Sequence, residues 1–387
     1  MIVGVEGNVH VGKTYFIKNQ LKHNEIDIKP EIEFKSELSK YDRQLFYIEQ
    51  ESLQRKKMLN DKNIILDRTI VSTYIYTLYS KEFTPLEIEK IVSLIRRYND
   101  EKKFLIPKSI FYIIYPYDLI CENHKILFRK KHTQNLLVDY NYYIKYNLFF
   151  QQILTKSRYI INSMKDFRQI ILLENVDKMF NEILNSEIEI TPKVLLDGAP
   201  AIGKSTIGKK QSKYKYIGEL KYKKYDLTDY SNQIDSIVER ILLLSGNNIM
   251  ADTSFLMGIT HLFYNESATK KQKKEMIEKI IKKVPLNIYI TKIIYLRLPM
   301  DLLYKRKQLD KSKERKHFEQ NISYLEKEIN FYDKINKKLH NKSNIHIIDA
   351  NNNQKELIDT ILNIEDKPLL LIDLFYCMTR LIEENEI

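Results

Sequence analysis

The sequence predicts an α/β protein of two tandem lobes, each a parallel sheet flanked by helices. Three observations carry this expectation: a phosphate-binding loop at the start of the chain, a second one in mid-chain, and the same order of apolar strands and helical segments behind each. The 387 residues, 43% of them hydrophobic, are enough for two or three domains with a core apiece.

The first lobe opens on the apolar strand Ile2-Val3-Gly4-Val5, which runs into Gly7-Asn8-Val9-His10-Val11-Gly12-Lys13-Thr14. Gly7 and Gly12 let the backbone curl so that successive N–H groups point inward at a phosphate. The helix expected over Tyr15 to Lys22 adds the positive end of its dipole. Lys13 then reaches the β- and γ-phosphates of ATP, and the Thr14 hydroxyl is a ligand for Mg²⁺. A plain glycine turn would leave the Lys-Thr pair unexplained. His10 occupies a variable position of such loops, and its ring need not touch phosphate.

The second loop follows Val194-Leu195-Leu196-Asp197 and reads Gly198-Ala199-Pro200-Ala201-Ile202-Gly203-Lys204-Ser205. Gly198, Gly203, Lys204, Ser205 and Thr206 are its nucleotide-binding candidates, with Ser205 as the Mg²⁺ ligand. Aligned on Lys13 and Lys204, the halves keep matching at an offset of about 185 positions. Glu33 faces Glu219, Arg55 faces Arg240, and Asn63 to Thr69 faces Asn248 to Ser254. The strand Ile110 to Tyr115, ending in Pro116 and Asp118, matches Ile293 to Leu298, ending in Pro299 and Asp301. Arg129-Lys130 with Gln134-Asn135 matches Arg315-Lys316 with Gln320-Asn321. The pattern reads as one lobe duplicated.

Each lobe closes on a further strand and helix, Gln169 to Leu173 before Val176 to Leu184, and Ile345 to Asp349 before Lys355 to Leu362. Short apolar strands alternating with helices indicate a sheet buried on both faces. The expected domains are 1–187 and 191–366, joined in the polar segment Asn185 to Pro192. Residues 367–387 are expected to form a helical extension whose stripe of Leu369, Ile372, Phe375 and Met378 packs on a lobe.

Composition narrows the class. No segment is apolar enough to span a bilayer and none resembles a signal peptide, so the expectation is a soluble cytoplasmic protein without a membrane partner. Cys121 and Cys377 form no ligand set with histidine and no disulfide framework. The net charge of +12 is compatible with a nucleic-acid partner, but a protein handling polyphosphates also needs lysine and arginine, and that reading is favoured here.

The third strand of the first lobe ends in Asp67-Arg68-Thr69. A carboxylate at that position sits beside the phosphate loop and can hold Mg²⁺ or its waters, while the guanidinium can hold an acceptor. A local salt bridge is the alternative for the pair. Asp67-Arg68, followed by Val71-Ser72-Thr73-Tyr74-Ile75-Tyr76, resembles the Asp-Arg motif of thymidylate kinases and the acidic-Arg-Ser motif of deoxynucleoside kinases. The resemblance spans nearly the whole chain and is strongest at the two loops and Asp67-Arg68.

The resemblance implies kinase-type lobes that use ATP and Mg²⁺. The γ-phosphoryl would pass to a nucleoside monophosphate or to a nucleoside 5′-hydroxyl, and the Asp-Arg form favours the monophosphate. An ATP-driven switch without a small-molecule acceptor is the rival from another class. Glu33 and Glu219 stand where the family carries a base for the attacking hydroxyl, with Glu31 a neighbouring rival. Arg55 and Arg240 fall in the helix that contacts the acceptor. Leu298 to Arg306 and Arg315 to Glu319 look like the lid and its flanking helices, so Arg306 and Arg315 would steady the transferring phosphoryl. A solvated, charge-rich helix face is the alternative there. The second lobe departs from the motif with Asp252-Thr253-Ser254, which leaves Asp252 without the adjoining arginine. Two lobes in one chain are expected to pair as the dimers of this superfamily do. The aromatic run Tyr140, Tyr142, Tyr143, Tyr146, Phe149 and Phe150 has helical spacing and is read as packing rather than base stacking.

Overall fold

A computed structural model describes residues 2–21, 27–29, 32, 35, 37–57, 63–131, 139–153, 159–163, 167–185, 188–218, 230–264, 268–309, 322–351 and 353–387. The chain divides into two compact units, Met1–Ile188 and Glu189–Ile387.

Unit 1 begins with β1 (Ile2–Gly7), α1 (Lys13–Phe16), β2 (Asp27–Lys29), α2 (Lys40–Lys57), β3 (Ile64–Asp67) and α3 (Ile70–Tyr79). It continues with α4 (Pro85–Asp100), β4 (Ser109–Ile114), α5 (Tyr117–Lys131), α6 (Tyr140–Ile153), β5 (Tyr159–Ser163), β6 (Arg168–Glu174) and α7 (Val176–Asn185). Every residue of β3 is buried, as are all but the first of β1, which is the burial expected of strands covered on both faces. Helix starts are written into the sequence. The Thr69 side chain accepts from Val71 N at α3, and a capping box of Thr84 and Glu87 with Pro85 opens α4.

The strands of unit 1 lie in the order β2-β3-β1-β4-β6-β5. β2, β3, β1 and β4 are parallel, with β1 between β3 and β4, so the chain leaves β1 at the crevice where its neighbours' connections diverge. The closing strand departs from the parallel expectation. β6 is antiparallel to β4, pairing Ile114 with Gln169 and Ser109 with Glu174, and β5 is antiparallel to β6. The cause is the extra strand β5 between α6 and β6, which reverses the chain once more. Apolar periodicity reports burial and carries no strand direction.

Unit 2 comprises β7 (Lys193–Gly198), α8 (Lys204–Lys210), β8 (Lys215–Ile217), α9 (Tyr230–Leu243), β9 (Ile249–Asp252), α10 (Phe255–Tyr264) and α11 (Lys270–Ile281). There follow β10 (Tyr289–Ile290), β11 (Lys292–Arg297), α12 (Met300–Leu309), α13 (Ile322–Leu339), β12 (Ile345–Asp349), α14 (Gln354–Asn363), β13 (Leu369–Leu370) and α15 (Leu371–Glu383). Its main sheet, in the order β12-β11-β7-β9-β8, is parallel throughout. The C-terminal segment belongs to this unit's core. β13 pairs with β10, every residue of α15 from Leu371 to Met378 is buried, and α15 packs on α11 and α13.

The helix expected over Tyr15 to Lys22 is α1 followed by a π-helical turn, Ile17–Leu21. The aromatic run lies on α6 and is core: Tyr142, Tyr143, Tyr146, Phe149 and Phe150 are buried, and Phe150 stacks on Tyr112 with centroids 4.3 Å apart. No described helix is long and apolar enough to cross a membrane.

Candidate functional site

Both glycine–lysine loops follow the strand at the centre of a parallel core, and both curl through left-handed residues. His10 (φ 60°) and Gly12 (φ 85°) do so in unit 1, Ala201 (φ 63°) and Gly203 (φ 106°) in unit 2. Each loop lysine is buried and folded across its own loop. Lys13 Nζ donates to Gly7 O and Asn8 O, both at 3.0 Å, and Lys204 Nζ donates to Gly198 O at 2.6 Å and Ala199 O at 3.1 Å. His10 Nε2 lies 3.0 Å from His124 Nδ1 on α5, and Asn123 Nδ2 donates to His10 O at 3.1 Å, so α5 clamps the loop. Burial, then the neighbouring His124, Lys13 and Arg68, lowers the His10 pKa to about 4, which keeps its ring neutral.

The strand-end acids meet the loop hydroxyls. Thr14 Oγ1 donates to Asp67 Oδ2 at 2.8 Å, and Ser205 Oγ donates to Asp252 Oδ2 at 2.6 Å. The residue after each acid is left-handed, Arg68 at φ 74° and Thr253 at φ 59°. Its N–H returns to the central strand, Arg68 N to Val5 O and Thr253 N to Leu196 O, both at 3.1 Å. The two acids then differ. Asp252 also accepts from Tyr216 OH at 2.9 Å and, on Oδ1, from Thr253 Oγ1 at 3.0 Å. Asp67 Oδ1 is buried and has no hydrogen-bond partner.

Behind each loop lies a second carboxylate that motif reading missed. Glu6 Oε1 accepts from Thr69 N at 2.8 Å and Thr69 Oγ1 at 2.6 Å, while Glu6 Oε2 accepts from Tyr146 OH at 2.9 Å and from Ser72 Oγ. Asp197 repeats the pattern, accepting from Ser254 N at 2.7 Å, Ser254 Oγ at 2.6 Å and Tyr332 OH at 2.8 Å. These buried acids tie the loop strand to the turn that carries Asp67 or Asp252, and so fix the spacing between hydroxyl and acid. The available signal was a charged residue ending an apolar strand immediately before the loop glycine in both halves. A third carboxyl approaches each cluster from a different helix, Glu51 on α2 and Glu328 on α13. Burial raises both to about 8, aided by Glu6 in one case and Asp197 in the other.

The expected arginines fall in several places. Arg68 Nη1 approaches Ser72 Oγ at 3.4 Å. Arg240, on α9, is buried, and its Nη1 donates to Thr253 O at 2.9 Å and Ser254 O at 3.1 Å, so it supports the turn after Asp252. Arg306, on α12, donates from Nη1 to Ile202 O of the loop at 3.2 Å and from Nη2 to Ala350 O at 3.0 Å. Arg55 lies on α2, but its side chain is outside the described set, and Glu33, Glu31, Glu219 and Arg315 lie outside the described residues. Arg168, absent from the sequence expectations, reaches the unit 1 loop from the start of β6.

A magnesium nucleotide fits this donor set. A hydroxyl and a carboxylate with one unpartnered buried oxygen are hard oxygen ligands, and they adjoin a lysine and a curled run of amides. Among the described residues no group of three or more His, Cys, Asp or Glu side chains forms a separate metal site.

No protein-family model and no curated protein matches the chain. Among solved structures it is similar to a deoxyadenosine kinase from M. mycoides with bound dCTP, at 22% identity and a TM-score of 0.35, over 44% of this chain and 97% of that one. A sugar kinase from Janibacter sp. HTCC2649 matches at 13% identity and a TM-score of 0.26, over 45% of this chain and 94% of that one. A protein described as polyphosphate kinase 2 from Pseudomonas aeruginosa PA01 matches at 9% identity and a TM-score of 0.30, over 100% of this chain and 91% of that one.

Proposed function

We propose that the chain is an ATP-dependent phosphotransferase in which unit 1 passes the γ-phosphoryl group to a nucleoside monophosphate. The observation that carries this reading is the contact between Thr14 and Asp67 at the loop, with Asp67 Oδ1 buried and left without a hydrogen-bond partner. ATP bound with Mg²⁺ supplies the phosphoryl group and offsets part of its charge. Lys13 gives up its two loop carbonyls to hold the phosphates, Thr14 and Asp67 hold the metal side, and Glu6 keeps the two in register. A monophosphate acceptor arrives ionised and needs cationic grip rather than a base, which suits Arg68 beside Asp67. An ATP-driven switch would need an acidic pair after the strand to activate water, and Asp67-Arg68 and Asp252-Thr253 supply none.

In the same reading, the two units descend from one duplicated lobe. The matched pairs Glu6 and Asp197, Thr69 and Ser254, and Tyr146 and Tyr332 support it. Unit 2 binds nucleotide but lacks the arginine after its acid.

ADP release measured with a panel of nucleosides and nucleoside monophosphates, on the wild type, Lys13→Ala and Lys204→Ala, tests the proposal. A monophosphate is expected to raise turnover, and Lys13→Ala to lower it by about 10²–10³-fold. Turnover indifferent to every acceptor but raised by nucleic acid or a protein would refute it.

A further inference from the structure

Unit 1 has no counterpart of Arg306 at the matching place in its sequence, yet an arginine stands at its loop. The reversed strand β6 begins at the loop end of β4, so its first residue, Arg168, is delivered to the crevice. An ideal Cβ built on Gly12 would lie 3.1 Å from Arg168 Nη2, which places the guanidinium against the residue preceding Lys13. The guanidinium also lies over the Tyr115 ring, 5.6 Å from its centroid. Arg168 Nε is buried without a hydrogen-bond partner, and among the described residues the guanidinium makes no ion pair. A delocalised cation held by an aromatic face and by no carboxylate among the described residues is poised for an external anion.

The side from which it approaches defines the role. β1 lies between β3 and β4, so Asp67 reaches the loop from the β3 flank at Thr14, whereas Arg168 reaches it from the β4 flank at Gly12. We propose that Arg168 is the donor-binding arginine of unit 1, gripping the phosphate chain of ATP on the flank opposite Asp67. This rests on the reading of the unit 1 loop as an ATP site. Arg168 takes the place that Arg306 holds in unit 2, where α12 brings a guanidinium to the corresponding part of the loop at Ile202 O. Because this grip lies away from Asp67 and Arg68, it acts equally on bound nucleotide and on the transition state. Its loss is therefore expected in KM rather than in kcat.

The test uses the full chain carrying Lys204→Ala, so that nucleotide binding reports unit 1. Calorimetric titrations with ADP and with inorganic tripolyphosphate are compared for that background and for added Arg168→Ala, Arg168→Lys or Lys13→Ala. Arg168→Ala is expected to weaken both ligands by about 10-fold and to raise the KM for ATP similarly, with kcat held within about twofold. Arg168→Lys is expected to recover part of the affinity, and a melting curve for it guards against a folding artefact. Unchanged affinity for both ligands in Arg168→Ala overturns the proposal. So does a loss confined to ADP, which would mean contact with the base or ribose, and so does a fall in kcat at constant KM. Should Lys13→Ala leave ADP affinity intact, the ATP-site reading of unit 1 fails instead.

Discussion

In unit 2, Asp252 receives hydrogen bonds on both oxygens, from Ser205, Tyr216 and Thr253. In unit 1, Asp67 receives one from Thr14 and keeps its other oxygen unpartnered and buried. Away from the edge beyond β4, where unit 1 adds β5 and reverses β6, the scaffolds share the order of their four parallel strands, the left-handed residue after the acid and the buried carboxylate behind the loop. At the acid itself the difference is local and chemical. A fully satisfied acid stabilises its own turn, whereas an acid with an unpaired oxygen carries a desolvation cost that a cation would offset.

The largest expected effect tests that contrast directly. Asp67→Asn should lower monophosphate-dependent ADP release by about 10²-fold, and Asp252→Asn by no more than about threefold. Equal losses would break the distinction between the units. Next comes the support behind each loop. Tyr146 OH donates to Glu6, lies 3.0 Å from Ser72 Oγ and accepts from Gly7 N at 3.2 Å, whereas Tyr332 OH donates to Asp197. Tyr146→Phe is expected to cost about 2 kcal/mol and Tyr332→Phe about 1 kcal/mol, read from urea unfolding of each unit.

The third concerns why Asp252 is so well held. A Cβ on Gly208 would fall 2.1 Å from Tyr216 Cε2, and Ile17 occupies the corresponding place in unit 1. Gly208→Ala should displace the Tyr216 ring, destabilise unit 2 by about 1–3 kcal/mol and loosen Asp252, with a lower melting transition as the readout.

A pH-dependent effect is shared by the units. Glu51 and Glu328 are raised from 4.5 to about 8, so the folded chain binds more protons than the unfolded one across that window. Their contribution to stability is fully present below pH 4.5 and is lost as pH rises through 8. Glu51→Gln and Glu328→Gln should each gain on the wild type in melting temperature between pH 5 and pH 8. A difference constant with pH would show that the carboxyl stays ionised.

Much of this was legible in the chain. The loops, Asp67, Asp252 and the strands that precede them are local patterns, and local patterns survive into the fold because hydrogen-bonding and burial preferences act within a few residues. The pairing of Glu6 with Thr69 and Tyr146 spans 63 and 140 positions, and no short motif encodes it. Arg240 was expected at the acceptor, and in the structure its Nη1 braces the backbone of Thr253 and Ser254, a contact that an arginine on a helix does not announce in the sequence. Arg168 was illegible for a third reason. Its place depends on the direction of β6, which is set by pairing with β4 and β5.

That reversed edge strand has a consequence for how crevice residues are sought. In an all-parallel sheet, the positions just after each strand feed the crevice, and those just before it are consigned to the opposite rim. One hairpin at the edge inverts the rule for a single strand and enlists its leading residue instead. A comparison that pairs β6 with β12 position by position would set Arg168 against the far rim of unit 2, although Arg168 and Arg306 each lie against their own unit's loop.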